Sequence, residues 1–272
     1  MRELLFNLGA YRRLLSLQVR SQMQYRVAFV LDALGAMLFL GLFFVALALI
    51  LDRFGSVGGW RLGEIAFLWG SVEVAFGLMD MVFSGFDPQS FGQRVRRGSF
   101  DQLLLRPVNI TTQVLGDDFA MRRLGRIAQG FIIFVIALHL ANIQWTVGKA
   151  LYLPLMLLGM IAFFGGLFVI GSTITFWTVE SIEALNVLTY GGSEMMQYPM
   201  HIYPSPLRRF FTYVVPAIFL NYTPALYFLG KPDPLGLPAS LRFVSPLVGI
   251  GLLLAALAFW RFGIRHYQST GT

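Results

Sequence analysis

At 272 residues the chain is long enough for one large or two small soluble domains, but 13% charged and 56% hydrophobic residues leave too little polar side chain to coat a globule. The excess of 21 basic over 14 acidic residues falls mainly between apolar runs, where lipid headgroups and the positive-inside rule account for it, so nucleic acid is not an expected partner. With no cysteine and three scattered histidines, neither a disulfide frame nor a local metal motif can form, and no metal site is expected.

In chain order, residues 1–26 come first. Leu4, Leu8, Tyr11, Leu15 and Val19 recur every three or four positions, with Arg2, Arg12, Arg13 and Arg20 off the stripe. This predicts a basic amphipathic helix lying in the membrane interface. The leader is too long and too arginine-rich for a signal peptide. The apolar run Ala28 to Leu51 is long enough to cross a ~30 Å hydrocarbon core. A second span is expected at about Ile65 to Ser84. It carries Glu73 and Asp80, seven apart and hence on one helical face. Ionisable groups at such depth are costly and functional suspects by default. Two readings fit: a translocation path for a cationic substrate, or burial at an interface with hydrogen-bonded partners.

Residues 85–126 form a loop region between the second and third spans. Further spans are expected at about Ile127 to Ile143, Leu151 to Trp177, Ile182 to His201 and Val244 to Phe262, six in all. Glu180, Glu183 and Glu194 make the fifth unusually polar. Residues 203–230 are interrupted by Pro204, Pro206, Pro216 and Pro224, and Phe210 to Leu220 is too short to cross alone. A re-entrant segment that dips into one leaflet and returns fits this pattern. Trp60, Trp145, Trp177 and Trp260 fall near span ends, as an aromatic belt requires. Counting arginine and lysine between six spans places fourteen on the N-terminal side and seven on the other, so both termini are expected in the cytoplasm.

The 85–126 loop is too ordered in pattern for a linker. Gly92 to Asn109 reads GQRVRRGSFDQLLLRPVN, and a second helical piece with Asp117, Asp118, Arg122 and Arg123 follows. Phe100, Leu103 and Leu104 share a helical face, Gly98 permits a bend before it, and Arg106-Pro107 ends it. On the residues alone, an ordinary interfacial helix and a helix that receives mechanical work from a soluble motor fit equally well.

The pattern Arg97-Gly98-x-Phe100-Asp101-x-x-Leu104-Leu105-x-Pro107 resembles the coupling-helix segment of type-two ABC transporter permeases. More narrowly, it is similar to bacterial permeases that accompany ATPases of the daunorubicin-exporter kind. The likeness extends over most of the chain. It implies an all-α, polytopic, single-domain permease (1–272) in the bacterial cytoplasmic membrane. Such a permease pairs with a second one, identical or homologous, and docks two ABC ATP-binding subunits. An exporter of a small or amphipathic molecule is the expected activity. Phe100 and Leu104 would be apolar knobs in the ATPase groove, with Arg96, Arg97, Asp101 and Arg106 supplying register; lipid headgroups are the other reading for the arginines. No GxxxxGK[ST] phosphate loop occurs in the sequence, so the chain itself is expected to bind no cofactor, ATP and Mg being held by the partner ATPase. No catalytic residue is expected, since no nucleophile, zinc or paired-aspartate motif sits within a span. The competing class is an ATPase-independent secondary transporter or channel.

Overall fold

The amphipathic leader folds as α1 (Arg2–Met23), and a two-residue turn leads into the apolar run as α2 (Arg26–Phe54). The computed structural model describes residues 2–119, 121–178 and 183–268, all of whose regular elements are helices. α2 has 29 residues, roughly 44 Å at 1.5 Å per residue, and exposes Leu31, Leu38, Phe39, Leu42 and Leu49. No protein covers most of that apolar surface, and hydrocarbon is the solvent that fits it.

α3 (Leu62–Val82) is the opposite case, buried on nearly every side. It starts where the Arg61 N–H donates to Glu64 Oε2 at 2.8 Å, and it packs on α7 (Leu124–Leu140). Gly63, Gly70 and Gly77 lie seven apart on the shared face. A Cβ at Gly70 would stand 2.6 Å from the Phe134 nitrogen, so the two backbones approach as closely as small residues allow. α8 (Val147–Thr178) and α13 (Ser245–His266) make the other tight pair, closest where a Cβ at Gly249 would sit 1.9 Å from the Gly159 carbonyl oxygen. Among the described residues, four helices, α2, α3, α8 and α13, are long and apolar enough to cross a membrane, and α7 is a shorter apolar helix of 17 residues.

Between α8 and α13 the chain breaks repeatedly, as its prolines require. α9 (Glu183–Asn186) runs through a π-helical stretch, Val187–Gly191, into α10 (Gly192–Met195). α11 (Ser205–Arg209) continues as π-helix over Phe210–Val214, and α12 (Tyr222–Leu229) follows. Irregular backbone buried away from water must be satisfied by protein, and buried Asn221 does part of this. Its amide donates to the carbonyls of Leu68 at 3.1 Å and Met196 at 3.0 Å, while Ser71 Oγ donates to its Oδ1 at 2.9 Å.

Cross-links sort the connections into two ends. At one end His201 Nε2 contacts the Gly58 carbonyl at 2.8 Å, Lys231 Nζ pairs with Glu64 at 2.8 Å, and Lys149 Nζ donates to the Phe228 carbonyl at 2.8 Å. The loops 55–61, 141–146 and 196–244 therefore gather there. At the other end lie α1, the 83–123 region and the last turn of α13, joined by Gln22 Nε2 to the Phe119 carbonyl at 2.7 Å and Trp260 Nε1 to Thr111 Oγ1 at 3.0 Å.

Two of the four tryptophans expected in an interfacial belt are interior residues instead: Trp60 and Trp260 are buried, whereas Trp145 and Trp177 are about half exposed. The reason is that the loop helices fold over the span ends, which hydropathy does not register. The start of the expected fifth span at Ile182, and Glu180, lie outside the described residues, as does the side chain of Glu183.

Candidate docking and coupling site

The region between α3 and α7 is built by ordinary local rules. Asp87 caps α4 (Pro88–Arg96), accepting from the Ser90 N–H at 3.0 Å, with Pro88 at the first helical position. Gly98 then takes φ +67°, a left-handed conformation that costs a side-chain-bearing residue about 1 kcal/mol or more, and turns the chain into α5 (Ser99–Leu104). After Pro107, Asn109 caps α6 (Ile110–Asp117), accepting from the Thr112 N–H at 3.3 Å. Gln113 locks the intervening turn by donating to the carbonyls of Leu103 at 3.1 Å and Val108 at 2.7 Å, and Arg94 pairs with Asp117.

What seats α5 on the membrane helices is an aromatic cluster. Phe91 of α4 and Phe100 of α5 meet Phe176 of α8, Trp260 of α13 and Tyr267 just beyond it. Ring centroids are 5.4 Å apart for Phe91–Phe100, 5.1 Å for Phe100–Phe176, 5.2 Å for Phe176–Trp260 and 5.0 Å for Phe100–Tyr267. These spacings suit edge-to-face and offset contacts, each contributing about 0.5–1.5 kcal/mol beyond area burial. Ser172 Oγ adds a 2.6 Å bond to the Phe86 carbonyl. The Tyr267 hydroxyl is pushed up to about 12, by burial first and by the neighbouring Asp101 carboxylate second, so it stays protonated at any physiological pH.

This geometry corrects one expectation. Phe100 is 0% exposed and so is no knob for another protein; its ring faces the chain's own core. Leu103 is buried with it. The side of α5 that looks outward carries Leu104, 39% exposed, and leads into Leu105 at 86%. Arg96, Arg97 and Arg106 are exposed around them, and Asp101 is half-buried toward Tyr267. The expected docking residues thus divide: Phe100 anchors and Asp101 faces inward, while Leu104 and the three arginines are accessible, joined by Leu105.

The two acids of α3 expected to line a path, Glu73 and Asp80, also divide. Glu73 is buried and held by Arg126 of α7, with contacts of 2.5 Å from Nε and 3.1 Å from Nη2, and by Gln197 Nε2 at 2.6 Å. The Arg126 guanidinium also lies 4.5 Å over the Phe76 ring. Both carboxylate oxygens are engaged inside the chain, so Glu73 binds α3, α7 and the segment after α10 together and is not poised to receive a cationic substrate. Asp80 pairs with Arg123 at 2.7 Å but lines an open cavity of about 670 Å³, together with Asp87, Asp118, Tyr190 and Glu194. Among the described residues, the lining holds four carboxylates and one arginine, a negative balance.

The aromatic cluster, Arg126 and Gln197 are functional neighbours that sequence reading passed over. A signal existed for the arginines: α3 and α7 are joined through the 83–123 loop and run antiparallel, which brings Arg123 level with Asp80 and puts Arg126 about a turn from Glu73, within reach of its long side chain.

Neither a curated protein nor a solved structure matches the chain. A family model described as ABC-2 family transporter protein matches residues 37–271, from within α2 to the end of α13, and takes in the whole of the α4–α6 region. On that match, and with helices of the length and apolarity a multi-pass membrane protein needs, the chain belongs to the ABC-2 transporter family, whose permeases are membrane subunits that work with a separate ABC ATP-binding subunit.

Proposed function

We propose that this chain is the membrane half of an ATP-driven exporter, and that α5 is where it receives the motion of its ATPase. The observation that carries the reading is the two-sided character of α5. One side is bolted through Phe100 to Phe176 of α8 and Trp260 of α13, and the other offers an exposed apolar pair, Leu104 and Leu105, ringed by Arg96, Arg97 and Arg106. A helix that is only an interfacial float needs no rigid tie to two spans. A helix that transmits force does, because a push on a loosely held loop is dissipated before it reaches the membrane.

In this reading both termini and the 83–123 region face the cytoplasm of a bacterium. Residues 183–202 supply a broken fifth crossing beside α2, α3, α7, α8 and α13, and 203–230 dips into the outer leaflet and returns. Two permeases, identical or homologous, form the path, and two ATP-binding subunits dock beneath. ATP-driven closure of the ATPase pair would move α4 and α5 as one body and tilt α8 and α13 through the aromatic cluster. The cavity at Asp80 would be the inner mouth of the path, its negative lining suited to a small cationic or amphipathic molecule.

The test is Leu105→Asp. This residue is exposed, so folding stability should change by no more than about 0.5 kcal/mol. Co-purification of the ATP-binding subunit, and ATP hydrolysis by the assembled complex, should each fall on the order of tenfold or more, as loss of a central interface residue does. Unchanged co-purification together with unchanged hydrolysis would remove α5 from the docking surface.

A further inference from the structure

α1, α6 and the last turns of α13 enclose an open groove of about 790 Å³. Leu8 of α1, Leu115 of α6, and Leu257 and Ile264 of α13 give it an apolar side, and neutral polar residues that include Asn109 and Thr111 line the rest. Among the described residues, Arg261 is the one charged residue of the lining. It is exposed and, among the described residues, has no ion-pair partner. The walls are held in place, because Trp260 Nε1 bonds Thr111 Oγ1 at 3.0 Å and the Asn109 N–H donates to Asn7 Oδ1 at 3.3 Å.

The groove does not end at its rim. Ile250, Leu254, Leu257 and Arg261 follow one another at spacings of four, three and four, so they form a single stripe on α13. Ile250 and Leu254 are exposed, at 48% and 61%. Arg261 stands five residues before the helix end at His266, roughly 7.5 Å along the axis. If α13 crosses the bilayer, that is headgroup depth, with the apolar stripe running from it toward the bilayer centre. An apolar channel ending in one unpaired guanidinium matches a molecule with an acyl chain and a phosphate.

We infer that the groove holds one anionic phospholipid of the leaflet on the α5 side, its phosphate at Arg261 and an acyl chain along Leu257, Leu254 and Ile250. The inference rests on α13 spanning the membrane and not on ATPase docking, so either can fail without the other. Its consequence is mechanical: the lipid braces α6 against α13, and Gln113 of α6 holds the end of α5. The coupling region would then be firmest in a membrane that contains anionic lipid.

The experiment is native mass spectrometry of the purified full chain, incubated with phosphatidylglycerol or phosphatidylcholine. The expected result is one phosphatidylglycerol retained per chain in preference to phosphatidylcholine. Arg261→Gln should lower that retention about fivefold, since one basic side chain at an anionic surface contributes ~1 kcal/mol. Arg20→Gln, an exposed position on α1 at the same end of the molecule but outside the groove, should leave it unchanged. Equal retention of the two lipids, equal losses in the two variants, or full displacement by glycerol phosphate without acyl chains would each overturn the inference.

Discussion

Phe100→Asp should leave no folded permease to assay. The ring is wholly buried between Phe91, Phe176, Trp260 and Tyr267. Truncating a buried phenylalanine costs about 3–5 kcal/mol through lost transfer energy and the cavity left behind. A carboxylate in that aromatic pocket has no cation to meet it, and burying an unpaired polar group adds to the cost. Set against a net folding stability of about 5–15 kcal/mol, the sum is enough to release α5 from α8 and α13. Size-exclusion chromatography of the detergent-extracted protein should show aggregate in place of the monodisperse peak, whereas Phe100→Leu, which keeps an apolar side chain there, should retain the peak. A monodisperse Phe100→Asp with the thermal midpoint of the parent would mean that α5 is not seated in the core.

Arg126→Met should be nearly as damaging, and for an electrostatic reason. Removing one partner of a buried ion pair strands the other charge, at a cost of about 3–5 kcal/mol. Here the stranded group is Glu73, left with only the Gln197 amide in the middle of α3. Replacing both charges is a different matter, because a neutral pair carries no desolvation penalty of this kind. The double variant Glu73→Gln/Arg126→Met keeps a side-chain amide that can still bond Gln197, so it should recover most of the lost thermal stability. Thermal unfolding of the two single variants and the double variant measures this directly. An Arg126→Met variant within about 0.5 kcal/mol of the parent would show that the pair is not holding α3 to α7.

How far these features could be read in advance follows from what each signal encodes. Apolar runs such as Ala28 to Leu51 report a solvent preference over twenty or more residues, so α2, α3, α8 and α13 were legible, to within a few residues at their ends. The bend at Gly98 and the stop at Arg106-Pro107 were legible too, because they depend on backbone preferences of single residues. The direction of α5 was not. Phe100, Leu103 and Leu104 mark an apolar face, but a six-residue helix looks the same whether that face meets its own core or a partner, and here Phe100 and Leu103 meet the core while Leu104 looks outward. The partners of Glu73 and Asp80 were hidden for a similar reason. Arg123 and Arg126 were counted as loop charges that orient the chain in the membrane, and only their position across from the acids in an antiparallel pair gives them a second role. Trp260 was taken for a belt residue because nothing in its own helix reveals that α4 and α5 cover it.

The absence of cysteine makes the decisive measurement clean, since a single introduced thiol is the only one on the chain. Leu105→Cys should react with a membrane-impermeant maleimide in inside-out vesicles and not in intact cells, and bound ATP-binding subunit should protect it. Labelling of that thiol from outside intact cells would place α5 on the wrong face of the membrane and contradict its role as the receiver of ATPase motion.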